Sequence, residues 1–247
     1  MINFFRKIRK GLLSQGKTGK YLKYAIGEIV LVVIGILIAL QINNWNNDRL
    51  NKILILSYAK GVAQDLNQDI AFIDESIKSY KGFITVKEWG LKKTKYKVSQ
   101  KDSLFSYIAT DYREYKLTDQ TFEKIKNSGL NEFYQYKDLF DSINNYYTIH
   151  ASRYNNWINW DASWTAKEFE YWLGPNTLYE YKAGNDFPLT KSENKNLDDL
   201  ISAITTPQGR NLMVFGYYRK MILISEFKKI RRKASELVNN INADIKE

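Results

Sequence analysis

The 247-residue sequence contains no cysteine and a single histidine, His150. These absences exclude a disulfide framework, a cysteine/histidine zinc site, a thiol nucleophile and a haem attachment motif. The three prolines and 13 glycines are few for this length, which disfavours an all-β protein rich in tight turns and favours long helices. With 44% hydrophobic and 26% charged residues, the chain can build a core instead of staying disordered. We expect no catalytic residue, no metal site and no cofactor.

The net charge of +10 is concentrated at the N-terminus, because residues 1–23 contain no acidic side chain. Seven of the 37 basic residues lie there, namely Arg6, Lys7, Arg9, Lys10, Lys17, Lys20 and Lys23. A basic block ahead of an apolar run is typical of the cytoplasmic flank of a membrane helix. We therefore predict a basic cytoplasmic segment over residues 1–23 that contacts the lipids of the inner leaflet. Since the rest of the chain is nearly balanced in charge, we expect no nucleic-acid partner.

Residues 24–45 read YAIGEIVLVVIGILIALQINNW and include an uninterrupted apolar stretch over residues 29–40. At 1.5 Å per residue the segment spans about 33 Å as a helix, which matches a hydrocarbon core of about 30 Å. Tyr24 and Trp45 are placed as interfacial aromatic anchors. No small-x-small cleavage site follows, so we predict an uncleaved signal anchor with residues 46–247 in the periplasm. The alternatives are a buried helix of a soluble protein and a cleaved signal peptide.

Glu28, Gly35 and Ala39 fall within a wedge of about 40° on one face of that helix, at about 100° per residue. A carboxylate in the membrane costs up to about 2.5 to 3.5 kcal/mol, and small residues let two helices approach closely. The combination predicts packing of this face against a second copy of the chain or against another inner-membrane protein. The alternative is that Glu28 only extends to the inner headgroups.

Residues 11–18, GLLSQGKT, match the spacing of a phosphate-binding loop. That loop binds phosphate only when it follows a buried strand and opens a helix inside a parallel sheet. Here the membrane segment follows within six residues, which leaves no place for a sheet. We therefore predict that the chain binds no nucleotide.

Beyond the anchor the apolar residues recur at the spacing of a helical bundle or coiled coil. They predict a long helix over about 48–89, short helices near 102–114 and 118–126, a long helix that stops before Gly174-Pro175, a loop over 174–196 and a last helix from Pro207. Gly129 is placed to end the second short helix in a left-handed conformation. Three long and several short helices imply an all-α antiparallel bundle. The apolar stripes of the long helices are Leu66, Ile70, Ile73, Ile77, Tyr80 and Ile84; Tyr136, Phe140, Ile143, Tyr147, His150, Tyr154, Trp157 and Trp164; and Leu223, Phe227, Ile230, Ala234, Leu237 and Ile241.

Residues 16–46, GKTGKYLKYAIGEIVLVVIGILIALQINNWN, closely resemble the opening signature of a Bacteroidota family, the domain of unknown function 6090. Residues 121–133, TFEKIKNSGLNEF, are similar to its second recurrent segment. The resemblance implies an inner-membrane protein with a mostly helical periplasmic part. It implies no catalytic residue.

Three further groups of residues are candidates for function. His150 lies on an apolar stripe, which favours a core histidine with one satisfied nitrogen. The tryptophans Trp157, Trp160, Trp164 and Trp172 either pack in the core or form a platform for sugars or a cation. The basic cluster formed by Lys228, Lys229, Arg231, Arg232 and Lys233 is expected to be a solvated helix face, because Glu226 and Glu236 flank it.

These observations favour a non-enzymatic, single-pass inner-membrane protein whose periplasmic bundle is a sensing, scaffolding or partner-binding module. The first alternative is a receptor-type ligand-binding domain that signals through a partner's membrane helix, because residues 1–23 are too few for a cytoplasmic output. The second is a membrane-tethered periplasmic hydrolase. For that activity, carboxylates such as Asp161, Glu168 and Glu170 would have to converge in a polar cleft.

Overall fold

The computed structural model describes residues 18–112, 115–181 and 188–245, which form helices and turns without a strand. The predicted all-α fold is confirmed. The chain divides into two compact units, residues 1–56 and residues 57–247.

The first unit contains the apolar segment that was predicted to cross a membrane. It belongs to helix α1, Thr18–Leu91, whose most apolar 18-residue stretch has a mean hydropathy of 2.6 and no buried residue. Apolar surface left in water costs about 25 cal/mol per Å², so an exposed run of this length favours a lipid environment. Among the described residues, one helix is thus long and apolar enough to span a membrane.

The second unit contains the remainder of α1 and six further α-helices of the described chain. These are α2 (Lys101–Ile108), α3 (Gln120–Asn127), α4 (Lys137–Asn145), α5 (Ser152–Leu173), α6 (Glu193–Thr205) and α7 (Pro207–Asp244). A π-helical segment, Tyr146–Ala151, joins α4 to α5 without a loop. Helix α6 begins inside the segment predicted as a loop over 174–196.

Local sequence signals explain several of the helix ends. Gly129, which follows α3, adopts φ 72°, a left-handed conformation that glycine tolerates without strain. Thr206 precedes α7, and its hydroxyl accepts a hydrogen bond of 2.9 Å from the Gly209 amide. Pro207 occupies the first turn, where its missing N–H leaves no intrahelical bond unmade. These two predicted boundaries are therefore confirmed.

Helix α7 carries the centre of the core. All six residues of its predicted stripe, from Leu223 to Ile241, are buried. It runs antiparallel to α1, since Arg231 binds Asp74 whereas Arg210, near its start, donates to the Leu91 carbonyl at the end of α1.

Helices α5 and α7 also run antiparallel. Arg153 at the start of α5 lies 3.3 Å from Glu226, and Glu168 near its end lies 3.0 Å from Arg219. The second unit is therefore built around α7, with α1 and α5 packed against it.

The predicted stripe that begins at Tyr136 is wrong at His150, Trp157 and Trp164, because these side chains are only half-buried. Ala151, Ile158 and Thr165, each one position further along, are buried instead, together with Asp161. Tyr154 is buried as predicted, so the true face lies next to the predicted one and shares this residue with it. That face then becomes polar, so apolar periodicity gives no sign of it.

Candidate functional site

Five charged side chains from three helices lie within the core of the second unit. This buried ionic cluster consists of Lys87 from α1, Asp161 and Glu168 from α5, and Arg219 and Lys220 from α7, each no more than 2% exposed. Removing an ion from water costs several kcal/mol, so each charge needs a close partner of opposite sign. Asp161 and Glu168 supply such partners for Arg219 and Lys220, whereas Lys87 donates to backbone carbonyls.

Asp161 is the shared acceptor of the cluster. Arg219 Nε and Lys220 Nζ each donate to one of its oxygens over 2.6 Å. The Tyr80 hydroxyl of α1 donates to it over 3.4 Å, and Arg219 Nη2 also reaches Thr165 Oγ1 at 3.1 Å. One carboxylate therefore joins α1, α5 and α7.

Glu168 is the second carboxylate of the cluster but is poorly hydrogen-bonded. Its Oε1 lies 3.0 Å from Arg219 Nη1, yet the angle is too poor for a hydrogen bond, and neither carboxylate oxygen accepts one from the described residues. A Cβ at Gly216 would lie 2.9 Å from Oε1. Glycine at position 216 is therefore what allows α7 to approach this carboxylate.

Lys87 binds the end of helix α2. Its Nζ donates to the carbonyls of Tyr107 at 2.5 Å and Ala109 at 2.9 Å, where the helix dipole favours a cation. Burial nevertheless lowers the pKa of Lys87 to about 7, and the attraction of Glu168 only partly opposes this. Lys87 therefore changes its charge close to physiological pH.

Asp69 of α1 is a second kind of buried carboxylate. It accepts hydrogen bonds from the Tyr115 hydroxyl at 2.8 Å and from the backbone amide of Thr118 at 3.0 Å. Burial raises its pKa, while these donors oppose the rise. The nearby Asp65 accepts from the Thr121 amide in the first turn of α3 at 3.1 Å. These two aspartates fasten the segment before α3 to α1, which is a structural role.

The membrane-segment candidates lie on the first part of α1. Lys20, Lys23, Tyr24 and Trp45 are exposed, whereas Glu28 is half-buried. At Gly35, no described atom lies within 4 Å of the position that a Cβ would take. Several predicted residues lie outside the described part of the chain: Arg6, Lys7, Arg9, Lys10 and Lys17, together with residues 11–17 of the phosphate-loop match.

His150 is not a core histidine, so that prediction is wrong. It is half-buried in the π-helical segment and lines a cleft beside α7. Partial burial lowers its pKa, and the neighbouring cations Lys233 and Arg153 lower it further. Ala151, the next residue, is buried in its place.

The four tryptophans divide into two environments. Trp172 is fully buried, as the core interpretation predicted. The half-buried Trp157 and Trp160 meet edge to face with centroids 5.4 Å apart, and Trp164 packs on Phe215 at 4.6 Å. Lys167 covers Trp164 from 3.9 Å, so this ring is already occupied by a cation from its own helix.

The predicted carboxylates converge only in part. Asp161 and Glu168 meet in the buried ionic cluster, but their side chains are sealed from solvent, at 1% and 2% exposure. Glu170 is exposed instead and lines a separate cleft of about 720 Å³ between α5, α6 and the segment after Gly174.

The basic cluster on α7 is also divided. Arg231 forms a two-contact ion pair with Asp74 of α1, at 2.6 and 2.9 Å, whereas Lys229 and Lys233 face α5.

Sequence reasoning missed Lys87, Arg219 and Lys220. The signal was present on α7, because Lys220 continues the apolar stripe one turn before Leu223.

The family of unknown function DUF6090 matches residues 28–153, which is more than half of the chain. The chain belongs to this family. No curated protein and no solved structure matches it. The DUF6090 match includes Glu28, Asp69 and Lys87, but it ends before Asp161 and therefore before most of the buried ionic cluster.

Proposed function

We propose that this DUF6090 protein is a non-enzymatic, single-pass inner-membrane protein whose periplasmic helical domain acts as a sensing, scaffolding or partner-binding module. The observation that carries the proposal is the apolar stretch of α1, which has a mean hydropathy of 2.6 and no buried residue. The seven basic residues ahead of it support an orientation with the N-terminus in the cytoplasm.

The absence of enzymatic activity is part of this proposal, and the state of the carboxylates supports it. Asp161 accepts from two cations within the core, and Glu168 is equally buried. A general acid or base must come within about 3 Å of a substrate atom, which side chains sealed inside a helical core cannot do. The charges of the cluster are better suited to fixing the arrangement of the helices.

A receptor-type ligand-binding role is the second candidate. It is favoured by the clefts along α5, because clefts with several polar side chains are where small ligands bind.

The proposed membrane orientation depends on the basic residues ahead of the apolar segment. A reporter that is active only in the periplasm, fused after Glu247, should be active, and a cytoplasmic reporter at the same position should be silent. Charge reversal of Arg6, Lys7, Arg9 and Lys10 to glutamate should weaken or invert this orientation, because it removes the positive charge that resists translocation. The matched control is the same charge change at four exposed lysines far from the segment, which should leave the topology unchanged: Lys78, Lys81, Lys124 and Lys137. Cytoplasmic activity of the wild-type fusion would contradict the proposed location.

The partner-binding role is proposed to use the face formed by Glu28, Gly35 and Ala39. Because a Cβ at Gly35 would contact no described atom, Gly35→Leu should not disturb the protomer itself. It should instead weaken helix–helix association by about 1 to 2 kcal/mol, whereas Leu37→Ile on another face should have little effect. Disulfide crosslinking of single cysteines placed along 29–40 measures this. Yields should peak at 35 and 39, to a second copy or to another membrane protein, and a flat profile would mean that the helix is only an anchor.

A further inference from the structure

A cleft on the second unit brings cations from two helices to one place. It lies where the π-helical segment and the start of α5 pack against α7, and it has a volume of about 150 Å³. An adjoining cleft of about 210 Å³ shares two of its residues, His150 and Lys233. The first of these, here called the basic cleft, is lined by His150, Arg153, Trp157, Lys229, Arg232 and Lys233, among others.

The cations of the basic cleft outnumber the acids beside them by two. Glu226 is shared by Arg153 at 3.3 Å and Lys229 at 2.6 Å. Glu236 is shared in the same way by Lys233 at 2.8 Å and Arg232 at 3.8 Å. Each carboxylate thus serves two cations, and two positive charges remain without a carboxylate of their own.

Part of these ion pairs can be rearranged at small cost. Glu236 and its partners Lys233 and Arg232 are between 42% and 69% exposed, and ion pairs at such positions contribute about 0 to 1 kcal/mol each, so Lys233 can turn to an incoming anion. Glu226 is only 11% exposed and must keep one cation, which leaves the other of Arg153 and Lys229 able to turn to the anion. Arg231 differs, because its two-contact pair with Asp74 ties α7 to α1.

The cations of the basic cleft lower the pKa of His150. Besides partial burial, the charges of Lys233 and Arg153 lower the pKa of its imidazole, and Glu236 opposes them only in part, as expected where cations outnumber acids. A positive field is therefore present where a ligand would sit, and an anion bound there would reverse it.

We propose that the basic cleft binds the phosphate group of a phosphate monoester. The excess of two positive charges matches the charge of about −1.5 to −2 that such a group carries at pH 7. Arginine and lysine side chains from two helices can surround its oxygens with charge-assisted hydrogen bonds. Trp157, half-buried at the wall of the cleft, provides an apolar surface for the group that the phosphate esterifies.

Phosphate binding in the basic cleft would specify the ligand of the proposed sensing role, and it rests on the proposed function only for its biological meaning. Binding is measured on the purified full chain in a neutral detergent, where membrane topology plays no part. A failure of binding would therefore leave the proposed topology standing, and an inverted topology would leave the binding result standing.

The test uses the single histidine of the chain as its probe. The full chain is labelled with ¹³C-histidine, so that one imidazole signal reports on the basic cleft, and phenyl phosphate is added as the ligand. Saturable changes of the His150 signal are expected, together with a raised pKa, because a bound dianion favours the imidazolium. Phenol, which has the ring without the charge, should produce neither.

Substitutions distinguish specific binding in the basic cleft from general attraction of an anion to a basic protein. Lys233→Gln and Arg153→Gln should each weaken phenyl phosphate binding about tenfold, as expected for the loss of a hydrogen bond between charged groups. The matched control is Lys228→Gln, because Lys228 is exposed on the same helix but does not line the cleft. Its affinity should equal that of the wild type. An equal loss in all three variants, or none in any, would overturn the proposal.

Two sources of the phosphate are distinguished by the lipid environment. In phosphatidylcholine nanodiscs that also contain phosphatidic acid, a lipid headgroup as the source should raise the pKa of His150 without added phenyl phosphate. A free ester as the source should raise it only when phenyl phosphate is added. Either result supports a phosphate monoester site. An unchanged His150 signal in both arms, and in detergent with millimolar phenyl phosphate, would show that the cleft does not bind this class of ligand.

Discussion

Replacement of Asp161 by asparagine should lower the free energy of unfolding by about 3 to 5 kcal/mol, the usual cost of breaking a buried ion pair. Asparagine has nearly the shape of aspartate, so the loss arises from charge and not from a cavity. Arg219 and Lys220 would remain buried after losing the carboxylate that each contacts at 2.6 Å. Glu168 could not replace it, since it already lies beside Arg219 in a poor geometry.

The structure offers a matched control for this experiment. Asp74→Asn also removes an aspartate that pairs with an arginine of α7 at 2.6 Å, but about half of each side chain is exposed there. That change should cost no more than about 1 kcal/mol. Both losses can be measured by urea unfolding of the full chain in a neutral detergent, followed by tryptophan fluorescence. Equal losses in the two variants would mean that burial does not decide the strength of the Asp161 contacts.

Helix α7 could be predicted because apolar periodicity defines its buried face, and the apolar part of α1 because its residues 29–40 form an uninterrupted apolar run. Every predicted stripe residue of α7 from Leu223 to Ile241 is buried, and Pro207 and Thr206 define its start. These signals are local. They require only that side chains on one face of a helix prefer to leave water.

The buried ionic cluster could not be predicted in the same way. An aspartate on a helix is assigned to the solvent face unless its partner is known, and the partner of Asp161 lies 58 residues further along the chain. Asp69 of α1 is likewise fully buried. Its donors, Tyr115 and Thr118, lie between α2 and α3 and are 46 and 49 residues away along the chain.

The remaining errors lie in the choice between adjacent positions of one helix. After Tyr147 the spacing fits either His150 or Ala151, and after Tyr154 it fits either Trp157 or Ile158, because adjacent residues are only about 100° apart. Ala151 and Ile158 are the buried ones, and His150 and Trp157 line the basic cleft instead. The residue that sequence analysis assigned to packing is therefore the one that reports on a proposed ligand site.

The stability of the protein should rise with pH between about 7 and 9 because of Lys87. Burial lowers its pKa from 10.5 to about 7 in the folded protein, so in this range the unfolded chain binds more protons than the folded one. The free energy of unfolding then increases with pH. Lys220 acts in the same direction, since burial also lowers its pKa. Below pH 7, Lys87 is charged in both states and the full cost of burying it is present.

The opposite trend is expected above about pH 10. Buried tyrosines such as Tyr146 have raised pKa values in the folded protein, so only the unfolded chain loses these protons as the pH rises. Stability should therefore fall again, and the range from pH 7 to 9 isolates the contribution of the lysines.

Lys87→Met tests this assignment, because methionine removes the titration while it fills similar space. Between pH 7 and 9 the wild type should gain about 2 kcal/mol more than the variant, given about 1.4 kcal/mol for each pKa unit. At pH 9 the neutral lysine of the wild type still has N–H groups for the carbonyls of Tyr107 and Ala109, which methionine cannot satisfy. The penalty of the variant should therefore be larger at pH 9 than at pH 7. Lys78→Met, at an exposed position of the same helix, should give a pH profile parallel to the wild type, and the same slope in Lys87→Met would contradict the assignment of the effect to Lys87.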